Sequence, residues 1–427
     1  MARGRRTSPF IVPLLLVFSL LPSLSAQEGG AGREFRFRYT PDERFRILGV
    51  NRQQVYLNGN FSHSAVIVTR VVEETAEVDD AGATVEATYQ VTEENSGTST
   101  GYSIEREYES HFYHSDTGEH RALQDGYMPV MRGFPRFPEE PVVPGDSWSR
   151  EAWEVHDFRR GYGIEEPYRF SMPVVYTYDG RDQRDGEQVD RITASYTIFH
   201  RGPAYPGSTY YPQTITGTSK QQLYWSEELG RLTYTEEEYT FLFILNSGDR
   251  VEYRGTATYE VVKIPPLERP AIRDALESIG GGEEHASGEA EGDPAAESGE
   301  PRSPEFIVEE REEGVTLVLE DLYFEADSAR LTDPARSTLK EISRVLQRVS
   351  ENDILITGHT ALAGNAAGRE ALSRERARRV AERIVAGGSH REEQVLFRGM
   401  GARRPAASNA SEAGRRRNRR VEITILE

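Results

Sequence analysis

The sequence predicts a multidomain chain: an all-β antiparallel N-terminal region, sandwich or open barrel, followed by a two-layer α/β sandwich. Three observations carry this. Short runs alternating apolar with polar residues fill residues 27–264, the period-2 pattern of strands with one buried face. Residues 265–304 then turn to Gly, Ala and Glu with little to bury. Beyond residue 305, strand patterns alternate with helix patterns, which implies helices layered on a sheet.

At the N-terminus, Arg3, Arg5 and Arg6 precede an apolar run, Phe10 to Leu21, and a small-residue stretch at Ser23–Ala26. This is the pattern of a signal peptide over 1–26, and the run is shorter than the ~20 residues that span a bilayer. It implies export to the periplasm or an outer-membrane-associated position. The chain has no cysteine, so thiolate catalysis, disulfides and lipid attachment at a cysteine are excluded. Its net charge of −19 argues against nucleic acid as a partner, because such binding rests on Lys and Arg neutralising phosphates.

In the β region, Ser64–Val68, Thr84–Tyr89, Val189–Tyr196 and Val251–Tyr259 alternate as strands do. Hairpin turns are expected from Tyr178-Asp179-Gly180 through Asp185-Gly186, and at Asn246–Asp249. The Pro- and aromatic-rich stretch 133–148 is expected to divide two β subdomains. A transmembrane barrel is the less favoured reading of the same strands. His111, His114, His120 and Asp116 do not make a metal site, because positions three apart in a strand point to opposite faces. Trp148, Trp153 and Trp225 are expected to be core or cross-strand pairs rather than a sugar platform. The stretch 265–304 is expected to be a flexible acidic tether.

In the C-terminal part, Val315 to Phe324 reads as a strand. Asp333 is placed to cap a helix that begins with Pro334 and buries Leu339, Ile342, Leu346 and Val349. Ile354 to Thr357 reads as a strand, and Ser373 to Ala386 as a helix stopped by Gly387-Gly388. Val395–Phe397 and Val421–Ile425 complete the strands.

Several motifs here resemble the OmpA-like, peptidoglycan-associating domain family. They are Phe324, Asp327, Ser328 and Leu331; Gly358, His359, Thr360 and Gly364; Leu372, Ser373, Arg376, Ala377 and Val380; Gly399-Met400-Gly401 with Pro405; and Asn418 to Ile423 behind Arg415. The resemblance implies a non-enzymatic module, with no cofactor, that holds the diamino acid of the peptidoglycan stem peptide. Arg376 matches the family arginine that takes the ligand carboxylate, for which its planar fork is suited. The family's aspartate, which takes the ammonium, falls on Ala361. The family's asparagine falls on Arg369. The candidate ligand-binding residues are thus Arg376, Gly358, His359, Thr360, Ala361, Arg369, Asn418 and Arg419. Losing the carboxylate is expected to weaken binding on the order of 10- to 100-fold. Glu370 or Glu375 is the candidate replacement. The alternative reading is a periplasmic scaffold whose OmpA-like fold serves contacts with envelope or outer-membrane proteins, its pocket blocked by Arg369.

Overall fold

The computed structural model describes residues 32–94, 102–104, 106–280, 306–311, 313–320, 324–325 and 328–427. The expected signal peptide, most of the expected tether and Asp327 lie outside them. In chain order the first strands are β1 (Arg44–Leu57), β2 (Asn60–Val78), β3 (Gly82–Glu94), β4 (Tyr102–Ser103), β5 (Arg106–Ser115), β6 (His120–Ala122), β7 (Met131–Arg132) and β8 (Ser147–His156). After the short α1 (Arg159–Tyr162) come β9 (Tyr168–Arg184), β10 (Glu187–Arg201), β11 (Pro212–Ser226), β12 (Arg231–Leu245) and β13 (Arg250–Lys263).

These strands, except β4, form one antiparallel sheet in the order β6-β5-β3-β2-β1-β13-β12-β11-β10-β9-β8-β7. Its two ends approach each other: Tyr108 of β5 donates to Asp157 just after β8 (2.9 Å), and Ser110 donates to the Met128 carbonyl (2.9 Å). The result is a nearly closed barrel. Its inner face is aromatic, with Tyr168, Phe170, Met172, Val174 and Tyr176 alternating inward along β9. Outward-facing positions include Thr193, Ser195 and Thr197 on β10, Thr216, Thr218 and Lys220 on β11, and Glu236, Glu238 and Thr240 on β12. The same face also exposes Val175 on β9 and Phe199 on β10.

The sheet runs unbroken past residues 133–148, which therefore do not separate two subdomains. That stretch folds over one end of the barrel, where Phe137 packs with Phe35, Phe37 and Trp225 at 4.9–5.5 Å. Trp225 is buried, and Trp148 stacks on Tyr176 at 5.4 Å while donating to the Arg136 carbonyl. Of the hairpins, Asn246–Asp249 turns between β12 and β13, with Gly248 at φ +91°. The other turn is shorter than expected. Strand β9 continues to Arg184, and only Asp185-Gly186 turns. Gly180 sits within the strand at a register shift, with φ +105°, because a bulge there needs a residue without a Cβ. His114 is half-buried against Tyr39, its Nδ1 2.6 Å from the hydroxyl, and His120 stacks on Phe112. Among the described residues no group of three His, Cys, Asp or Glu is placed to hold a metal.

The C-terminal domain adds β14 (Phe306–Arg311), β15 (Gly314–Glu320), α3 (Asp333–Leu346), β16 (Ile354–Gly358), α4 (Ala366–Ala386), β17 (Val395–Gly399), α5 (Glu412–Asn418) and β18 (Arg420–Leu426). Its sheet order is β14-β15-β18-β16-β17-β4. The side facing α3 and α4 forms its core, with Leu317, Ile356, Phe397 and Ile423 against Leu339, Ile342, Val380 and Ile384. The cap of α3 is Thr332, whose hydroxyl accepts from Ala335 N, one residue earlier than expected. Of the strand expected over Val315 to Phe324, the described part is β15, Gly314–Glu320; residues 321–323 lie outside the described residues. Helix α4 begins at Ala366, capped by the Asn365 side chain.

The first part of the expected tether is instead a helix, α2 (Arg269–Gly280). Leu267, Ile272 and Leu276 join the core of the C-terminal domain, and Leu276 is fully buried. Arg269 fixes its start, donating to Glu427 (2.7 Å) and to the Arg311 carbonyl (2.8 Å). Composition hid this element. The i, i+4, i+7 spacing of Ile272, Leu276 and Ile279 was the signal for it.

Candidate functional site

Strand β16 lies between parallel β17 and antiparallel β18, and all five of its residues are buried. The chain leaves it into the loop 358–365 and returns as α4. Two glycines let α4 sit on the strand ends. A Cβ on Gly358 would meet the Ser373 carbonyl oxygen at 1.9 Å, and one on Gly399 would meet Arg374 N at 2.6 Å.

The loop is tied down by backbone bonds. His359 N donates to Arg420 O, Thr360 N to Gly401 O and Met400 N to Gly358 O, each at 2.9 Å. Ser373 Oγ accepts from Gly401 N at 2.9 Å and joins the glycine loop to α4. Ala361 is buried, 5% exposed, at the position where the family pattern has its aspartate.

Arg376 is 3% exposed. Its Nε donates to the Ser328 carbonyl (2.9 Å), and its guanidinium lies over the Phe324 ring at 5.0 Å. The first motif and α4 therefore meet at this residue. His359 is buried and its ring nitrogens have no hydrogen-bond partner; Nε2 lies 3.6 Å from Glu422 Oε2. Burial pushes its pKa down, so the ring is neutral at pH 7. Thr360 Oγ1 is likewise buried without a partner.

Arg369 donates to the Gly364 and Ala363 carbonyls (2.5 and 3.4 Å) and clips the loop to α4. Glu370 is bound by Arg374 and Arg403, and Glu375 by Arg378 and Arg379. Asn418 is fully buried and organises the loop 406–409, its Oδ1 accepting from Ala406 N and Ala407 N. Arg419 pairs with Glu412 (2.9 Å). Gly358, His359, Thr360 and Ala361 follow one another at the end of β16, and Arg376 packs from α4 against the first motif. The structure gives Asn418 and Arg419 framework contacts.

Sequence reading missed Glu422. This buried carboxylate is held by Arg311 (2.7 Å) and Arg420 (2.8 Å). Burial opposes its ionisation, but the Arg311 and Arg420 guanidinium groups at its oxygens outweigh that and hold its pKa far below the usual carboxylate range. The signal was a glutamate set between Val421 and Ile423 in a strand buried on both faces.

A two-layer domain with its loop, glycines and buried arginine at these places has the OmpA-type arrangement. Residues 323–419 match the OmpA family model, so the C-terminal domain belongs to the OmpA family; no family model matches the N-terminal region. The chain is 35% identical over 96 residues to the outer-membrane lipoprotein YfiB of Pseudomonas aeruginosa, covering 22% of this chain and 56% of that one. It is 32% identical over 106 residues to outer membrane protein A of Bordetella avium, covering 25% and 54%. The chain thus spans about half the length of these curated relatives. Among solved structures, the cell wall anchor of the T6SS from Pseudomonas aeruginosa is 29% identical and covers 28% of this chain and 87% of its own, with a TM-score of 0.26.

Proposed function

We propose that this chain is an exported, non-enzymatic envelope protein whose OmpA-family domain attaches it to peptidoglycan through a site that has lost its acidic half. The observation that carries this reading is Arg376, buried on α4 beside Phe324 and Ser328. A buried guanidinium suits a carboxylate ligand, and Thr360 in the loop is a buried hydroxyl with no hydrogen-bond partner. Ala361 offers nothing to an ammonium. Membership of the OmpA family supports the wall as the partner and the envelope as the location.

Co-sedimentation of the full mature chain with purified sacculi tests this. Wild type is expected to sediment weakly, and Arg376→Ala not at all. Ala361→Asp with Arg369→Asn should raise affinity on the order of 10- to 100-fold. If Arg376→Ala sediments as well as wild type, the site is not the point of attachment. If wild type stays in solution and only the double variant sediments, the module serves protein partners instead.

A further inference from the structure

We propose that the β region is the built-in partner of the OmpA-family sheet, so that barrel and module form one rigid body in which β16 links the wall site directly to the barrel wall. The rigid body does not depend on wall binding; the link from a wall site through β16 rests on that reading.

The sheet has a face turned away from its helices. On it, Leu355 of β16, Leu396 of β17 and Leu426 of β18 pack against Leu48 and Val50 of β1 and Val68 of β2. Beside this apolar patch, Arg46 of β1 and Arg70 of β2 both reach Asp353. Arg46 Nη1 donates to Asp353 Oδ1 (2.6 Å) and to the Glu351 carbonyl (2.9 Å). Arg70 Nε donates to the other carboxylate oxygen, and its Nη1 to Gln90 (3.1 Å). All three ionic side chains are at least 95% buried. The hydrogen-bond partners of the Asp353 carboxylate come from the other domain, so its burial is compensated only when the two domains are docked.

The free edge of the sheet is also taken. Strand β4 adds in parallel to β17, with Leu396 opposite Tyr102 and Phe397 opposite Ser103, and Ile104 N donates to Phe397 O (3.2 Å). An open strand edge is a template for pairing with another chain, and here the chain's own segment covers it. Arg391 and Glu260 close the rim (2.8 Å).

The consequence lies in β16. Asp353 immediately precedes this strand and Gly358, the first residue of the ligand loop, ends it. Five residues of strand separate them by roughly 17 Å. Pull on the loop passes along one extended, hydrogen-bonded segment into two arginines of the barrel.

The chain has no cysteine, so labels go only where they are placed. Spin labels at Thr197→Cys on the barrel and Lys340→Cys on α3, both exposed, report the distance between domains in the full mature chain. Wild type is expected to give one narrow distance distribution. Asp353→Ala strands two buried arginines and should widen it roughly twofold or more, because domains with a weakened interface move by default. Replacing the whole cluster with apolar residues (Arg46→Met, Arg70→Met, Asp353→Leu) should restore the narrow distribution, since a well-packed apolar set substitutes for a buried ion cluster. A broad distribution in wild type overturns the proposal. A narrow one in Asp353→Ala removes the clamp as its cause. If Asp353→Ala fails to fold, wild type and the apolar triple variant decide it.

Discussion

The two domains bury carboxylates in opposite ways. In the OmpA-family sheet, Glu422 sits between Arg311 and Arg420 and is held ionised. In the barrel, Glu237 accepts from Ser219 (2.7 Å) and Gln221 (3.2 Å), and among the described residues it makes no ion pair. Glu154 lies close by, bonded to Tyr196 (3.2 Å) and His156 (2.8 Å). Burial, against the pull of Ser219 and Gln221 and with the Glu154 charge adding to it, raises the pKa of Glu237. One centre is a charge-matched cluster that joins β14 to β18 across β15. The other is a layer of hydroxyls, amides and carboxyls within an aromatic interior. The difference teaches that the module's centre favours the charged carboxylate and the barrel's centre favours the protonated one.

The strongest way to break the comparison is to remove one domain. Gly358→Ala forces a Cβ into the Ser373 carbonyl, and a loss of about 4 kcal/mol or more is expected for the module. Limited proteolysis should then digest residues beyond 306 while the barrel resists. Leu276→Ala tests where the boundary lies. A loss of about 2–5 kcal/mol, read by chemical denaturation of the module, is expected because α2 belongs to that core. Equal stability would return α2 to the tether.

Smaller effects sharpen the contrast between the two buried centres. A carboxyl whose folded pKa is raised costs stability once pH exceeds its unfolded value. Glu237→Gln should therefore raise the barrel's melting temperature by a few degrees at pH 7, and this gain should vanish near pH 4. Glu422, with the opposite shift, contributes stability above its unfolded value and loses it as pH falls. Glu422→Gln should therefore destabilise the module at pH 7. The smallest effect belongs to His114. Burial first, then the charges of His120 and Arg231, lower its pKa to about 3, and the unfolded chain binds its proton from pH 6.5 downward. Its neutral form thus adds stability that drains away as pH falls below 6.5. His114→Gln should flatten the barrel's loss of melting temperature between pH 6.5 and 4, measured by thermal scans.

Much of the module was legible because its signals are local. Gly358, Gly399 and Gly401 mark close approaches, Arg376 and Ala377 mark the packed turn of a helix, and Val421–Ile425 marks a buried strand. Helix α2 was not legible, because its acidic flank masks three apolar residues at helical spacing. The roles of Arg369 and Asn418 were misleading in the sequence. Each bonds to loop carbonyls or amides whose positions depend on how α4 and α5 are set.

The sequence by itself determined that alternating strands precede a strand–helix domain, that cysteine chemistry is absent, and that Ala361 cannot offer a carboxylate. Those are properties of residue type and short-range period. Only the tertiary structure decided that the β strands form a single nearly closed sheet, and that Arg46 and Arg70 meet Asp353. Residues some 280 to 310 apart come together only when strand register and sheet curvature are set, and no local pattern encodes either.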